Sequence, residues 1–379
     1  MAALPSASGE SAGQPAWRRE DRVTEKQRLF FFDNLRVVAM MLVIAHHAAQ
    51  PYGPTGGDWP FFEATRAAVL GPFFMVNRSF GMSLFFMIAG YFAVMSCDKN
   101  GPKAFMRSRL LRLGLPLLAV TAVFVLLQVF VFGAQDGKLG SPWPVNVAHM
   151  WFVQHLLVFS LVYGLWRQLR PRRTDIPRKL AAPPRTGMIL AFALGLAVVT
   201  GVVRIWFPID DWSYLLGFVR VAWGDVPRDL SLFILGAVAY RHQWPMRFST
   251  KAGMRWFWAG LFLVALWYSY ELWLVKVVHL GDTAADVFAL LWEALLCCSM
   301  CIGLTVLFRE RANMQTRLTR WLAEGQYAAY VIHLFVVLGF QALLVGLAAP
   351  PMFKFALATL GSIPTTFLIA GVIRKPLKM

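Results

Sequence analysis

Four ionisable side chains sit at the two ends of one apolar run, FFFDNLRVVAMMLVIAHHAAQPYG, residues Phe30 to Gly53. Asp33 and Arg36 stand at its start, His46 and His47 near its end, and Val, Met, Leu, Ile and Ala dominate between Leu35 and Ala45. Ionisable groups in a membrane-length apolar segment are costly, so each is a functional candidate. On a helix, eleven residues bring His47 back to within about 20° of the Arg36 face, with a rise of about 16 Å. His46 turns about 80° away from that line. Asp33 and Arg36, three apart, can pair. One face therefore offers a guanidinium suited to phosphate at one end and an imidazole at the other. A neutral imidazole can take a hydroxyl proton as general base or accept an acyl group itself.

A second basic cluster, FMRSRLLRLGLP, places Arg109 and Arg112 three apart on one helical face, flanked by Arg107. Each piece has a plainer explanation. Arg36 could snorkel to lipid phosphate, His47 could be an interfacial histidine, and the arginine cluster could simply mark a cytoplasmic loop. Taken together they ask for a long ligand, anionic at the inner end and reactive at the outer one. Coenzyme A, with phosphates at one end and a thioester at the other, is such a molecule.

Other polar residues within apolar runs are weighed against structural roles. Glu293, in FALLWEALLCC, either joins a site or forms a structural pair. Trp151 and His155 are candidates to line an acceptor side. Ser83 and Asn77, near Gly81 and Gly90, fit close helix approach, and Ser83 is kept as a second-tier site residue. Glu271 lies near a span end and is read as interfacial.

These residues must be positioned by membrane helices. The 379-residue chain is 58% hydrophobic and only 15% charged, with a mean hydropathy of +0.55. A soluble domain is nearer a quarter charged. Apolar runs recur at 29–50, 71–96, 113–133, 148–166, 187–207, 229–241, 256–275, 284–308, 326–348 and 353–373, and without strict alternation a barrel is disfavoured. The sixth is short; it could begin near Trp212 and break around Gly224 and Pro227. The expected fold is all-α, a bundle of about ten spans. Most of the 37 basic residues fall before the first span and after the second, fourth, sixth, eighth and tenth. That alternation puts both termini in the cytoplasm. Residues 1–28 are read as a disordered cytoplasmic tail without a secretory signal, 29–373 as the membrane domain and 374–379 as a basic tail. The net charge of +17 is distributed over these short loops and not in one patch, so nucleic acid is not expected. Cys297, Cys298 and Cys301 lie together in one apolar run with Cys97 apart, and are read as small buried hydrophobes; no metal is expected.

The segments DNLR with Arg36-x10-His47, GMSLFFMIAGYF, FMRSRLLRLGLPLL, HMWFVQHLLVFSLVY and YAAYVIHLFVV follow one another in the order of a known family. From about 29 to 373 the chain resembles acyltransferase family 3, ten-span bacterial membrane acyltransferases that modify sugars, glycans and some lipids or antibiotics. The resemblance implies acyl-CoA as cytoplasmic donor, His47 as the essential histidine, and Arg36, Arg109 and Arg112 as matches to its basic motifs. It adds His333 as a further candidate. Gln154 and His155 stand where relatives carry an acid, and no appended esterase-like domain is expected. The expected function is an inner-membrane, multi-pass O-acyltransferase that moves an acyl group, acetyl first and succinyl second, to a hydroxyl of a carbohydrate or glycolipid. Asp33 would orient Arg36. The alternative is a transporter or flippase of a glycan or lipid precursor, without bond chemistry.

Overall fold

A computed structural model describes residues 29–54, 59–127, 147–170, 180–277 and 281–374. The expected tail 1–28, the end of the third span and residues 375–379 lie outside the described residues. Twelve α-helices and one β-hairpin follow one another along the described chain. The helices are α1 (Phe30–Ala49), α2 (Leu70–Asn100), α3 (Pro102–Arg109), α4 (Leu115–Leu127), α5 (Trp151–Leu169) and α6 (Thr186–Arg204). After the hairpin β1 (Ser213–Leu215) and β2 (Val219–Val221) come α7 (Val226–His242), α8 (Trp244–Arg247), α9 (Thr250–Leu272), α10 (Asp282–Arg311), α11 (Arg317–Leu344) and α12 (Pro351–Ile373).

Local chemistry sets several boundaries. Gly101, at φ +80°, ends α2 in a conformation that disfavours other residues, and Pro102 opens α3 where a missing N–H costs nothing. Ser249 caps α9, and Thr316 and Thr319 form a reciprocal capping box on α11. Between α3 and α4 the backbone runs as one π-helical turn, Leu110–Gly114. Pro116 has no N–H to give the Arg112 carbonyl, and the Tyr327 hydroxyl donates to that carbonyl at 2.8 Å. The helical segment therefore starts at Pro102, earlier than the expected 113, and Arg109 and Arg112 lie within it rather than ahead of it.

Among the described residues, nine helical segments are long and apolar enough to cross a membrane. The sixth expected span, α7, has 17 residues and falls short of that length. It does not extend back to Trp212. Residues 213–221 instead form an antiparallel hairpin, with Leu216 and Gly217 in the left-handed turn conformation such a tight turn needs. Among the described residues the all-α expectation holds apart from that hairpin.

α7 packs along α2 at Gly90 and Gly236. A Cβ on Gly90 would strike the Phe233 carbonyl, and one on Gly236 the Met87 carbonyl. The two backbones are therefore close enough for Ser83 to reach the start of α7. α1 lies against α2, α10, α11 and α12. Its face of Met40, Ile44 and Ala48 is buried with Ala329 and Val337 of α11.

Candidate active site

The two ends of α1 meet different surroundings. At its start Arg36 pairs with Asp33, as the spacing predicts, and its guanidinium lies over the Phe92 ring with 5.2 Å to the centroid. Asn34 donates to the carbonyls of Ala312 and Met314, which fixes this end of α1 to the α10–α11 loop. Arg109 lies over the Phe105 ring at 5.1 Å. The guanidinium groups of Arg109 and Arg112 meet no carboxylate among the described residues. A π turn between two such arginines changes their angular relation from that of a regular helix, and π turns recur at functional sites.

At the other end of α1, His47 is held from three sides. Its ring stacks on Trp59, with centroids 5.6 Å apart and planes 10° apart. His333 of α11 lies 5.2 Å away, centroid to centroid. Gln341, also on α11, donates to the His47 carbonyl at 2.9 Å and to the Ala48 carbonyl at 3.3 Å. The same amide accepts from the Trp59 indole N–H at 2.9 Å, so one buried glutamine fixes both the helix end and the stacked ring. His46 touches the His47 ring edge-on at 5.7 Å but otherwise packs elsewhere, edge-on to Phe74 at 5.1 Å and near Phe73. The two rings thus have different further neighbours, in keeping with the rotation between successive helix positions.

A third imidazole completes the cluster. His149, in the short turn Ala148–Met150, lies 4.8 Å from His333 at a steep angle. His149 Nε2 donates to the Val331 carbonyl at 3.1 Å, and His333 Nδ1 donates to the Tyr330 carbonyl at 2.6 Å. Tyr330 in turn donates to the His149 carbonyl. Each ring's bonded nitrogen sets its tautomer and leaves the other nitrogen as an acceptor. Those remaining atoms, His149 Nδ1 and His333 Nε2, are buried without a partner among the described residues, as is His47 Nδ1. Unsatisfied buried polar atoms are uncommon, and here three belong to three successive rings in contact. The arrangement brings several proton acceptors together among packed aromatic rings.

The remaining candidates fall into two other places. Ser83 and Glu293 belong to a buried ion network at the same end of the bundle. Glu293 accepts from Arg204 at 2.6 and 3.1 Å and also pairs with Arg228. Ser83 donates to Asp229 at 2.8 Å and accepts from Arg228 Nε at 3.0 Å. Asp225 bridges Arg78 at 3.0 Å and Arg204 at 3.1 Å. Burial alone would raise the Asp225 carboxyl, but Arg78, Arg228 and Arg204 hold it well below the usual carboxylate range. A small cavity, about 10 Å³ and so room for one water, lies beside Arg228, Glu293 and Thr200.

Trp151 and His155 form the third place, together with Gln154. Gln154 donates to the Phe218 carbonyl at 3.0 Å and accepts from Arg220 N at 3.1 Å. His155 Nε2 donates to the Arg220 carbonyl at 3.2 Å. Trp151 meets Trp212, over which the Arg220 guanidinium lies at 4.1 Å. These residues clamp the hairpin onto α5, and none of these contacts reaches His47. Asn77 is buried with its amide nitrogen unpartnered, and Glu271 accepts from Trp267 at 2.7 Å.

Sequence reasoning missed His149, Trp59, Gln341 and the arginines 78, 204 and 228. Arg78 carried a usable signal, a charge eight residues into an apolar run. His149 stood in the quoted HMWFVQH segment. Nothing local marked Trp59. The four cysteines are buried and free, and among the described residues no cluster of three or more His, Cys, Asp or Glu could hold a metal ion.

An apolar helical bundle with nine segments of membrane-crossing length among the described residues, and histidines buried between its helices, is the build of a multi-pass membrane protein. The chain belongs to acyltransferase family 3: the family model described as an acyltransferase domain matches residues 29–373. It is similar to glucans biosynthesis protein C of Escherichia coli strain K12, 26% identical over 231 residues, which cover 56% of this chain and 58% of that protein. The same protein of Escherichia coli O1:K1 / APEC matches to the same extent. The aligned stretch thus spans less than two thirds of these relatives. No solved structure matches significantly.

Proposed function

We propose that the protein moves an acyl group, most simply acetyl, from cytoplasmic acyl-CoA to a hydroxyl of a carbohydrate or glycolipid at the outer face of a bacterial inner membrane. The observation that carries this reading is His47, stacked on Trp59, anchored through Gln341 and separated along one helix from Arg36. Arg36, oriented by Asp33, and Arg109 and Arg112 take the donor's phosphates, for which planar forked cations are suited. The acyl and pantetheine arm then extends along α1 toward His47.

At that end the His47 imidazole removes the acceptor hydroxyl proton as the oxygen attacks the thioester carbonyl. The C–O bond forms, the C–S bond breaks, and the departing thiolate takes the proton back from the imidazolium. Formation of an acyl-imidazole at His47, followed by attack of the hydroxyl, gives the same products. His333 and His149 line this end, and the hairpin clamped by Trp151 and His155 borders the approach. Ser83 and Glu293 brace the wall through the ion network. His46 packs and takes no part.

The chain passes the membrane ten times in this reading, with α7 as the short sixth pass and both termini inside. Contacts that bring together residues from alternate helix ends support it: Arg167 reaches Asp98 at 2.6 Å, while Trp59 reaches Gln341. The similarity to glucans biosynthesis protein C makes a glucan the first acceptor to test. Mass spectrometry of envelope glycans and lipids, with and without the protein, tests the reading. An acyl group that depends on the protein and is lost in His47→Ala is the expected result. Identical envelope material in both strains would remove it.

A further inference from the structure

The basic end of the bundle holds a cation that the reading above does not use. Arg241, in the last turn of α7, reaches across to α5 and donates to the Tyr163 hydroxyl at 3.0 Å. It meets no carboxylate among the described residues. A cation in a last helical turn commonly serves the helix's own carbonyls. Here the guanidinium turns to a phenol on another helix instead. Tyr163 also accepts from Arg167 at 3.2 Å, and Arg167 is neutralised by Asp98 at 2.6 Å. The phenol thus accepts two guanidinium bonds, while its own proton goes to no acceptor among the described residues. A charge held by a neutral group, beside a donor hydroxyl with nothing to donate to, is a place for an anion.

Its surroundings connect it to both donor cations. Gly164 lets α5 approach Phe105 and Met106 of α3 closely, and the Tyr163 ring stands edge-on to Phe105 at 6.2 Å. Phe105 is the ring beneath Arg109. On the other side Tyr240, next to Arg241, meets Tyr91 at 5.1 Å, and Tyr91 meets Phe92, the ring beneath Arg36. Arg36, Arg109 and Arg241 thus come from α1, α3 and α7: the Tyr163 ring that takes the Arg241 bond meets the ring beneath Arg109, and the residue beside Arg241 meets the ring pair that carries Arg36. Coenzyme A carries its anionic groups in two places, a diphosphate and a phosphomonoester on the ribose. We infer that Arg241 and the Tyr163 hydroxyl form a subsite for the ribose phosphomonoester of the donor, while Arg36, Arg109 and Arg112 serve the diphosphate. This rests on the donor reading above.

Removing the 3′-phosphate from the ligand tests the subsite directly. Binding of coenzyme A and of 3′-dephospho-coenzyme A to the full-length protein in detergent is measured by calorimetry. Wild type should favour coenzyme A by roughly tenfold to a hundredfold, the size of a charge-assisted hydrogen bond lost. Arg241→Gln should bind both ligands alike, near the weaker wild-type value. Arg241→Lys and Tyr163→Phe should keep part of the preference, and Arg109→Ala should weaken both ligands together. Thermal melting checks that each variant is folded, and Tyr163→Phe carries the test if Arg241→Gln does not fold. A wild type that binds both ligands equally, or an Arg241→Gln that keeps the preference, overturns the subsite and leaves the donor reading intact. A wild type that binds neither ligand removes both.

Discussion

Replacing His47 with alanine should abolish transfer while leaving the fold in place, because the two functions of this residue use different atoms. Gln341 bonds the His47 carbonyl, which alanine retains. What the fold loses is the ring stack on Trp59 and the contact with His333, about 0.5–1.5 kcal/mol for an aromatic pair. What the reaction loses is the general base, roughly 10²–10⁴ in rate, or about 3–5 kcal/mol of barrier. Over two such pairs the fold loses about 1–3 kcal/mol, less than the stability of an ordinary domain, while the reaction loses its base, so a folded but inactive protein is expected. The measurement is label transfer from radioactive acetyl-CoA to an envelope glycan fraction by purified protein, with melting temperature and coenzyme A binding recorded alongside. Binding should persist, since the imidazole lies about 16 Å along α1 from Arg36. His46→Ala removes packing against Phe73 and Phe74 and one edge-on contact with the His47 ring, but no proton acceptor of the reaction, and should keep most of the activity. An active His47→Ala beside an inactive His46→Ala would refute the helical-face reasoning and the choice of base.

Arg109→Ala with Arg112→Ala should weaken coenzyme A binding in a folded protein, and added salt should weaken wild-type binding as well; unchanged affinity would return the cluster to a topological role. Arg36→Ala should likewise weaken the donor, and Arg36→Lys should recover part of it through the retained charge, read by the same calorimetry. Glu293→Ala should destabilise the protein by about 3–5 kcal/mol, because Arg204 and Arg228 would lose a shared buried partner, and denaturation in mild detergent would show it. Reporter enzymes fused at Gly281 should report the outer side, and an inner signal would overturn the ten-pass orientation.

Sequence alone determined what the bilayer demands. A membrane helix must satisfy its backbone internally and cover its surface with apolar side chains, so span positions were legible from hydropathy, and basic loops give an orientation that the fusions will test. The Asp33–Arg36 pair and the separation of His46 from His47 were legible for a similar reason, since neighbours on one helix obey a fixed rotation. α7 was the least legible element. Its short length and the hairpin ahead of it are settled by packing against α2 and by Gln154 and His155 on α5, neither of which leaves a periodic trace. The surroundings of His47 were invisible for the same cause. Gln341 reaches the His47 carbonyl from 294 residues away, and Trp59 stacks from a loop. Glu293 was equally ambiguous until α6 and α7 brought Arg204 and Arg228 to it. Apolar periodicity specifies which residues face other helices in general. Only close packing decides which helix is met, and so which buried polar group finds its partner.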